Sequence, residues 1–320
     1  MYACCAAVWG LFGFEKRRAS FISYAVNCRS MMGRGTHKTM AMLCMLMAFG
    51  VRAQTSCSFQ VKPTPDDRQA VWKGFTQGVD VLGCFRVLAV PEISEMALRH
   101  VATIAAELLD QDEDGHVDDV RVKQALSECD AVMPVFERPG SRAERRFFRR
   151  YQGEGVAAVL YADEIAPERT GQWGWDATVE EVLHTLHMGA YVRLFPEAFG
   201  LPPHSSLLTE AMDVARGGQW RVTPRRYPAE AWYHYDDRTC DYGCMAIEYL
   251  YWATVTEMGL LNDPRIAEGI ADEWQWTTAE GLQSGDVLVH ALLHDERFNL
   301  PICAPDGRYC PPSGVLSDPE

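Results

Sequence analysis

Two short stretches of this 320-residue chain gather side chains that can hold a cation. In the first, residues 110–119, six of ten positions are Asp or Glu. Asp110, Asp112 and Asp114 alternate, and Gly115 follows. Three carboxylates this close repel one another unless an ion or hydrogen-bond donors intervene. In the second stretch, Glu180, Glu181, His184 and His187 fall at helical spacing. Residues 180 and 184 lie one turn apart on one helix face, so both can ligate a single ion. A third protein ligand has to come from another element. Glu248 is a lone carboxylate in an otherwise apolar segment, where burial without a partner is costly. Glu210 and His187 are the alternatives. A plainer reading of the same helix is a capping box, with Glu181 bonded back to the amide of an N-cap Thr178. His290 and His294 form another i, i+4 pair, for which an amphipathic helix is explanation enough.

The elements that must position these residues follow from periodicity. Residues 79–90 are rich in Val, Leu and Phe and read as strand; 131–136 and 155–161 are apolar runs of strand length. Helical spacing covers 91–110, 120–127, 178–191, 206–216, 241–260, 264–274 and 287–294. Gly217 and Gly218 stop the helix before them. The Arg-rich run 142–150 reads as a solvated basic face. Strands come early and helices late, which predicts one α+β domain over residues 54–320.

The acidic loop resembles the EF-hand calcium loop. That resemblance implies side-chain ligands at Asp110, Asp112 and Asp114, a sharp turn at Gly115, the backbone oxygen of His116, and Asp118 directly or through water. The loop departs from the pattern at its twelfth position, where Arg121 stands in place of a bidentate Glu; Asp119 would substitute in a shortened loop. Such a site is a weak one, about 10⁻⁴–10⁻³ M, matched to extracellular calcium.

The EExxH segment at 180–184 resembles the active-site helix of zincin metallopeptidases, whose signature is HExxH. The likeness covers about fifteen residues. It implies a zincin-like fold: a small mixed sheet, an active-site helix and a mainly helical C-terminal half. It also implies zinc held by Glu180 and His184, with Glu181 as the base that activates water. The run 156–161 would be the edge strand lining the cleft. Glu248, in an aromatic-rich helix, resembles the glutamate of the anthrax-lethal-factor-like branch. In that branch a phenol stabilises the oxyanion, a role that would fall to Tyr242 or Tyr235. Glu210 resembles the thermolysin-like alternative. The chain is also similar to a group of uncharacterised secreted proteins that combine a DxDxDG loop, an EExxH helix and the segment YDDRTCDYGC at 235–244.

Charge and cysteine bound the rest. The net charge is −14. Residues 54–320 carry 43 acidic against 23 basic side chains, a surface that repels phosphate backbones and argues against a nucleic-acid partner. Arg34, His37 and Lys38 precede an apolar run at 40–51, and Ala53 ends a small-residue cleavage pattern before Gln54; together these read as a secretory signal peptide. The run is too short to span a bilayer. Residues 1–30 then form an N-terminal extension, with Met31 or Met32 as the natural start. Seven cysteines follow the cleavage point, with Cys240–Cys244 and Cys303–Cys310 as trial disulfides. No GxGxxG, P-loop or GxSxG motif stands in suitable context, which leaves no support for a nucleotide-dependent or serine-nucleophile enzyme. The expectation is a secreted calcium-binding protein with a metal-dependent peptidase-like site acting on a peptide or protein. The rival is an inactive zincin-like module that binds a protein or glycan.

Overall fold

The computed structural model describes residues 58–64, 70–172 and 174–312. The expected extension, signal peptide and cleavage point lie outside the described residues.

A five-stranded mixed sheet takes up the first half of the described chain, its strands side by side in sequence order. Strand β1 (Lys62–Pro63) pairs antiparallel with β2 (Gln77–Val81), and β2 with β3 (Phe85–Ala89). Strands β4 (Val132–Phe136) and β5 (Leu160–Tyr161) add in parallel. The single strand expected over 79–90 is a hairpin instead. Leu82 and Gly83 both adopt positive φ, 51° and 71°, and the Gly83 amide donates to Asp80 Oδ1 at 2.9 Å. Hydrophobic content alone does not reveal such a reversal; the Asp-x-x-Gly turn does. Of the apolar run 155–161, only the last two residues pair, at the sheet edge.

Helix α1 (Glu95–Leu109), capped by Ser94, packs on β2 and β3 and delivers the chain to the acidic loop. Helix α2 (Val120–Cys129) follows, capped by Asp119. In α3 (Arg142–Phe148) the arginines face outward while Phe147 enters an aromatic cluster with Trp72, Phe75, Phe136 and Tyr151. Beyond β5 the chain is helical: α4 (Thr178–Leu186), a π-helical turn (His187–Tyr191), α5 (Val192–Leu194), α6 (Pro196–Phe199) and α7 (Leu207–Ala215). Then come α8 (Tyr242–Glu257), α9 (Pro264–Gly269), α10 (Ala279–Gly285) and α11 (Val287–Leu293). The helix expected over 264–274 stops at Gly269, and α10 was not foreseen.

Helix α8 is the axis of this half. Thirteen of its sixteen residues are buried, so it has no solvent face to speak of and neighbours surround it. It contacts α4, α7, α10 and α11. A disulfide between Cys240 and Cys244 pins its start. Cys310 is disulfide-bonded too, but not to Cys303, so that trial pairing fails. Among the described residues no helix is long and apolar enough to cross a membrane.

Because Phe147 is buried in that cluster, Phe147→Ala is expected to cost about 3–5 kcal/mol. Arg142→Ala, on the exposed side of the same helix, should stay within about 0.5 kcal/mol. Urea denaturation of the two variants checks the orientation of α3.

Candidate metal centre

The start of α4 is set by Asp176, a residue the sequence reading passed over. Its buried carboxylate accepts from the amide and hydroxyl of Thr178, from the amides of Ala166 and Gly171, and pairs with His100 Nε2 at 2.9 Å. The capping box is therefore not realised: the N-cap is Ala177, Thr178 is inside the helix, and no Glu181 bond returns to the N-cap amide. Its residue type and place, an Asp just before the first turn, were the available signal.

Glu181 is left for another task. Eight of the nine residues of α4 are buried, and Glu181 is the exception. Its Oε2 lies 3.7 Å from His184 Nδ1. On the other side of the ring, His184 Nε2 is 3.5 Å from Glu248 Oε2, without hydrogen-bonding geometry. Glu180, His184 and Glu248 each present one ligand atom, and the three atoms lie within 4.8 Å of one another. Glu180 is 9% exposed; His184 and Glu248 are 4% exposed. Two helices, α4 and α8, thus bring two carboxylates and one imidazole to a single point. An imidazole nitrogen with no donor or acceptor to meet, flanked by two carboxylates, is a donor set that suits a divalent cation.

The electrostatics show the strain of that arrangement without a cation. Burial, and then Glu181, Glu248 and Glu273, push the Glu180 carboxyl well above its usual range. Burial works against charge on His184, but Glu248 and Glu181 prevail and hold the imidazole well above its ordinary value. Two further carboxylates surround the set. Glu164 is pushed up to about 8 by burial and by Glu181. Glu273 is raised to about 8 by burial and by Glu248, against a bond from Trp252 Nε1. Nothing in their local sequence marks these two residues.

The remaining expected residues fall outside the convergence. Glu210 is exposed on α7, apart from the cluster. His187 is wholly buried in the π-turn with both ring nitrogens unpartnered, and burial lowers it to about 3, which keeps it neutral. The Tyr242 hydroxyl donates to Asp213 Oδ2 at 2.9 Å and the Arg216 guanidinium covers its ring, so that phenol is committed elsewhere. Tyr251, Tyr233 and Tyr235 are the phenols that feel the cluster: burial and Glu180 raise the first, burial and Glu248 the other two.

The acidic loop is folded by its own carboxylates. Asp110 accepts from the amides of Asp114 and Gly115 and from the Tyr309 hydroxyl. Asp112 also accepts from the Asp114 amide, and Asp114 from that of His116. Gly115, with φ 96°, makes the turn that the pattern demands. Oxygens of Asp110, Asp112 and Asp118 approach within 4.8 Å of one another; Asp114 is not in that group. Asp119 does not replace the missing glutamate, because it caps α2 and binds Arg121 through both oxygens.

No protein-family model, curated protein or solved structure matches this chain. The geometry therefore has to carry the functional reading by itself.

The raised carboxyls have a measurable consequence. In metal-free protein Glu164 and Glu273 keep protons up to about pH 8 that the unfolded chain loses near 4.5. The native state then binds more protons than the unfolded state, and stability falls as pH rises from about 4.5 to about 8. Glu273→Gln should flatten part of this slope. Urea denaturation in EDTA at several pH values checks it; an unchanged slope in the variant would contradict the assignment.

Proposed function

We propose that the protein is a secreted, calcium-stabilised, metal-dependent hydrolase of peptidase type, with a divalent transition metal, Zn²⁺ first, held by Glu180, His184 and Glu248. The observation that carries this reading is the convergence of those three buried side chains from two helices. The Asp176 cap removes the alternative use of Glu181. Two glutamates neutralise a dication, and the imidazolium of His184 gives up one proton to ligate as a neutral imidazole.

When bound, the ion supplies Lewis acidity at the reacting carbonyl. The chain's own residues supply the rest. Glu181, beside His184 and the one partly open side chain of α4, takes a proton from water and passes it to the leaving group. Tyr235 is the better phenol for oxyanion stabilisation, since Tyr242 is committed to Asp213. The low exposure of the three ligands favours a second reading: a closed metal site in an inactive module that binds a protein or glycan. Calcium in the acidic loop, through Asp110, Asp112, Asp118 and the His116 carbonyl with Asp114 bracing the turn, belongs to both readings.

Metal analysis separates them. Wild-type protein should carry about one equivalent of zinc at this site, lost in His184→Ala and Glu248→Gln. Glu181→Gln should keep the metal and lose peptide hydrolysis by about 10²-fold or more. Retained zinc with no hydrolysis in any of these proteins would favour the inactive module; no zinc in wild type would end both readings of the site.

Calcium is checked separately by melting curves. At ten times Kd, binding to the native state adds about 1.4 kcal/mol. EGTA should lower Tm, and Asp112→Ala should abolish the response. An EGTA-insensitive wild type with no bound calcium would refute the loop.

A further inference from the structure

A second cluster lies away from Glu180, His184 and Glu248. His290 of helix α11 and His294, the residue that caps its C-terminal end, stand one turn apart, with ring centroids 4.4 Å from each other. Glu257, the last residue of α8, reaches them: its Oε1 is 2.9 Å from His294 Nε2. One ligand atom from each of the three side chains lies within 4.8 Å of the others. We propose that Glu257, His290 and His294 form a second divalent-metal site, for Zn²⁺ or a metal of similar borderline character.

Three independent features support it. First, the Glu257 Oε2 atom is buried without any hydrogen-bond partner, so a simple Glu257–His294 pair leaves half of the carboxylate unsatisfied. An ion between the side chains offers that oxygen a partner. Second, the two imidazole rings sit side by side, tilted by 39° with centroids 4.4 Å apart, and each offers a nitrogen to the point that Glu257 also reaches. Third, the site lies at the C-terminal ends of both α8 and α11, where helix dipoles present negative charge. Neither last turn contains Lys or Arg.

Two imidazoles and one carboxylate are the softer donor set of the two clusters, better suited to zinc than a set with one imidazole. The residue after His290 is Ala291, so the position that Glu181 holds beside its histidine on α4 is apolar here. The role assigned to this site is a clamp that ties the end of α8 to α11. His294 also lines a cleft of ≈ 770 Å³, together with Asp112, Asp114, His116 and Asp118 of the acidic loop.

The test is zinc titration of the full chain by calorimetry, with calcium saturating so that the acidic loop is filled. The proposal is independent of the first site, and the experiment separates them. His290→Ala/His294→Ala should bind one equivalent less than wild type. His184→Ala should retain one equivalent, with a Tm rise on adding zinc that disappears in the triple variant. Because His184 is buried and its loss can impair folding, the exposed His294→Gln provides a second route: it should weaken zinc binding at this site at least 100-fold in an otherwise wild-type protein. Equal stoichiometry and affinity in wild type and His294→Gln would overturn the proposal, as would the absence of zinc binding by wild type.

Discussion

The constraint on which the C-terminal half depends is the removal of carboxylates from water around one histidine. Glu180, Glu181 and Glu248 crowd His184, with Glu164 and Glu273 at the next distance. Like charges in a poorly hydrated place repel strongly, and each carboxylate also loses its hydration. Protons are one remedy, and the upward displacement of Glu164, Glu180, Glu181, Glu273 and His184 expresses it. A dication is the other. Hydrophobic packing has to hold the cluster together in either case, which accounts for an α8 buried on nearly every side. Tyr249 and Tyr251 of α8, with Tyr233 and Trp274 packed near them, supply apolar area while most of their polar tips find partners: Tyr233 on the Met245 carbonyl, Tyr249 on Asp286, Trp274 on Thr256.

The two acidic regions solve the same problem differently. The loop after α1 meets its charge with backbone amides: Asp110, Asp112 and Asp114 each accept from the turn they create. That loop is mostly open to solvent, so water helps. The α4–α8 cluster has few donors, one imidazole among several carboxylates. Helix α1 joins the two regions. Its C-terminal end opens into the loop, and its His100 reaches the Asp176 carboxylate that starts α4. A single buried pair thus sets the position of the site helix against the helix that carries the loop.

What was legible in the sequence divides along physical lines. The helices α1, α2, α4, α7 and α11 follow from helical spacing, and α8 from its long apolar run; the caps at Ser94, Asp119, Ser206 and Asp241 emerge only in the structure. The convergence of Glu180, His184 and Glu248 was readable because one turn of helix fixes two of the residues and the cost of burying the third demands a partner. The hairpin at Leu82–Gly83 was not readable from hydrophobicity, which is continuous through the turn. Glu164 and Glu273 approach the site only through tertiary packing, and no local pattern announces that. Tyr242 failed for the opposite reason: its neighbourhood in sequence is right, but the Asp213 carboxylate reaches its hydroxyl first.

The π-helical turn at His187–Tyr191 has a bearing on which length changes the chain can absorb. Such a turn holds one residue more than an α-turn, so the faces before and after it are out of phase by about 100°. Upstream, the phase is set by Glu180 and His184. Downstream, it is set by Gly189 against Leu126 and Cys129 and by the Tyr191 hydroxyl on the Asn299 carbonyl. The extra residue is taken up inside the turn, so deleting one residue there would restore a regular helix and leave the side chains on both sides of it on their present faces. Winding the turn into α-helix with all residues kept would instead rotate every side chain beyond it by about a quarter of a revolution, away from its neighbours on α2 and in the C-terminal segment. The turn is therefore the place where this helix can lose a residue at least cost, whereas a deletion on either side of it shifts the two faces against each other.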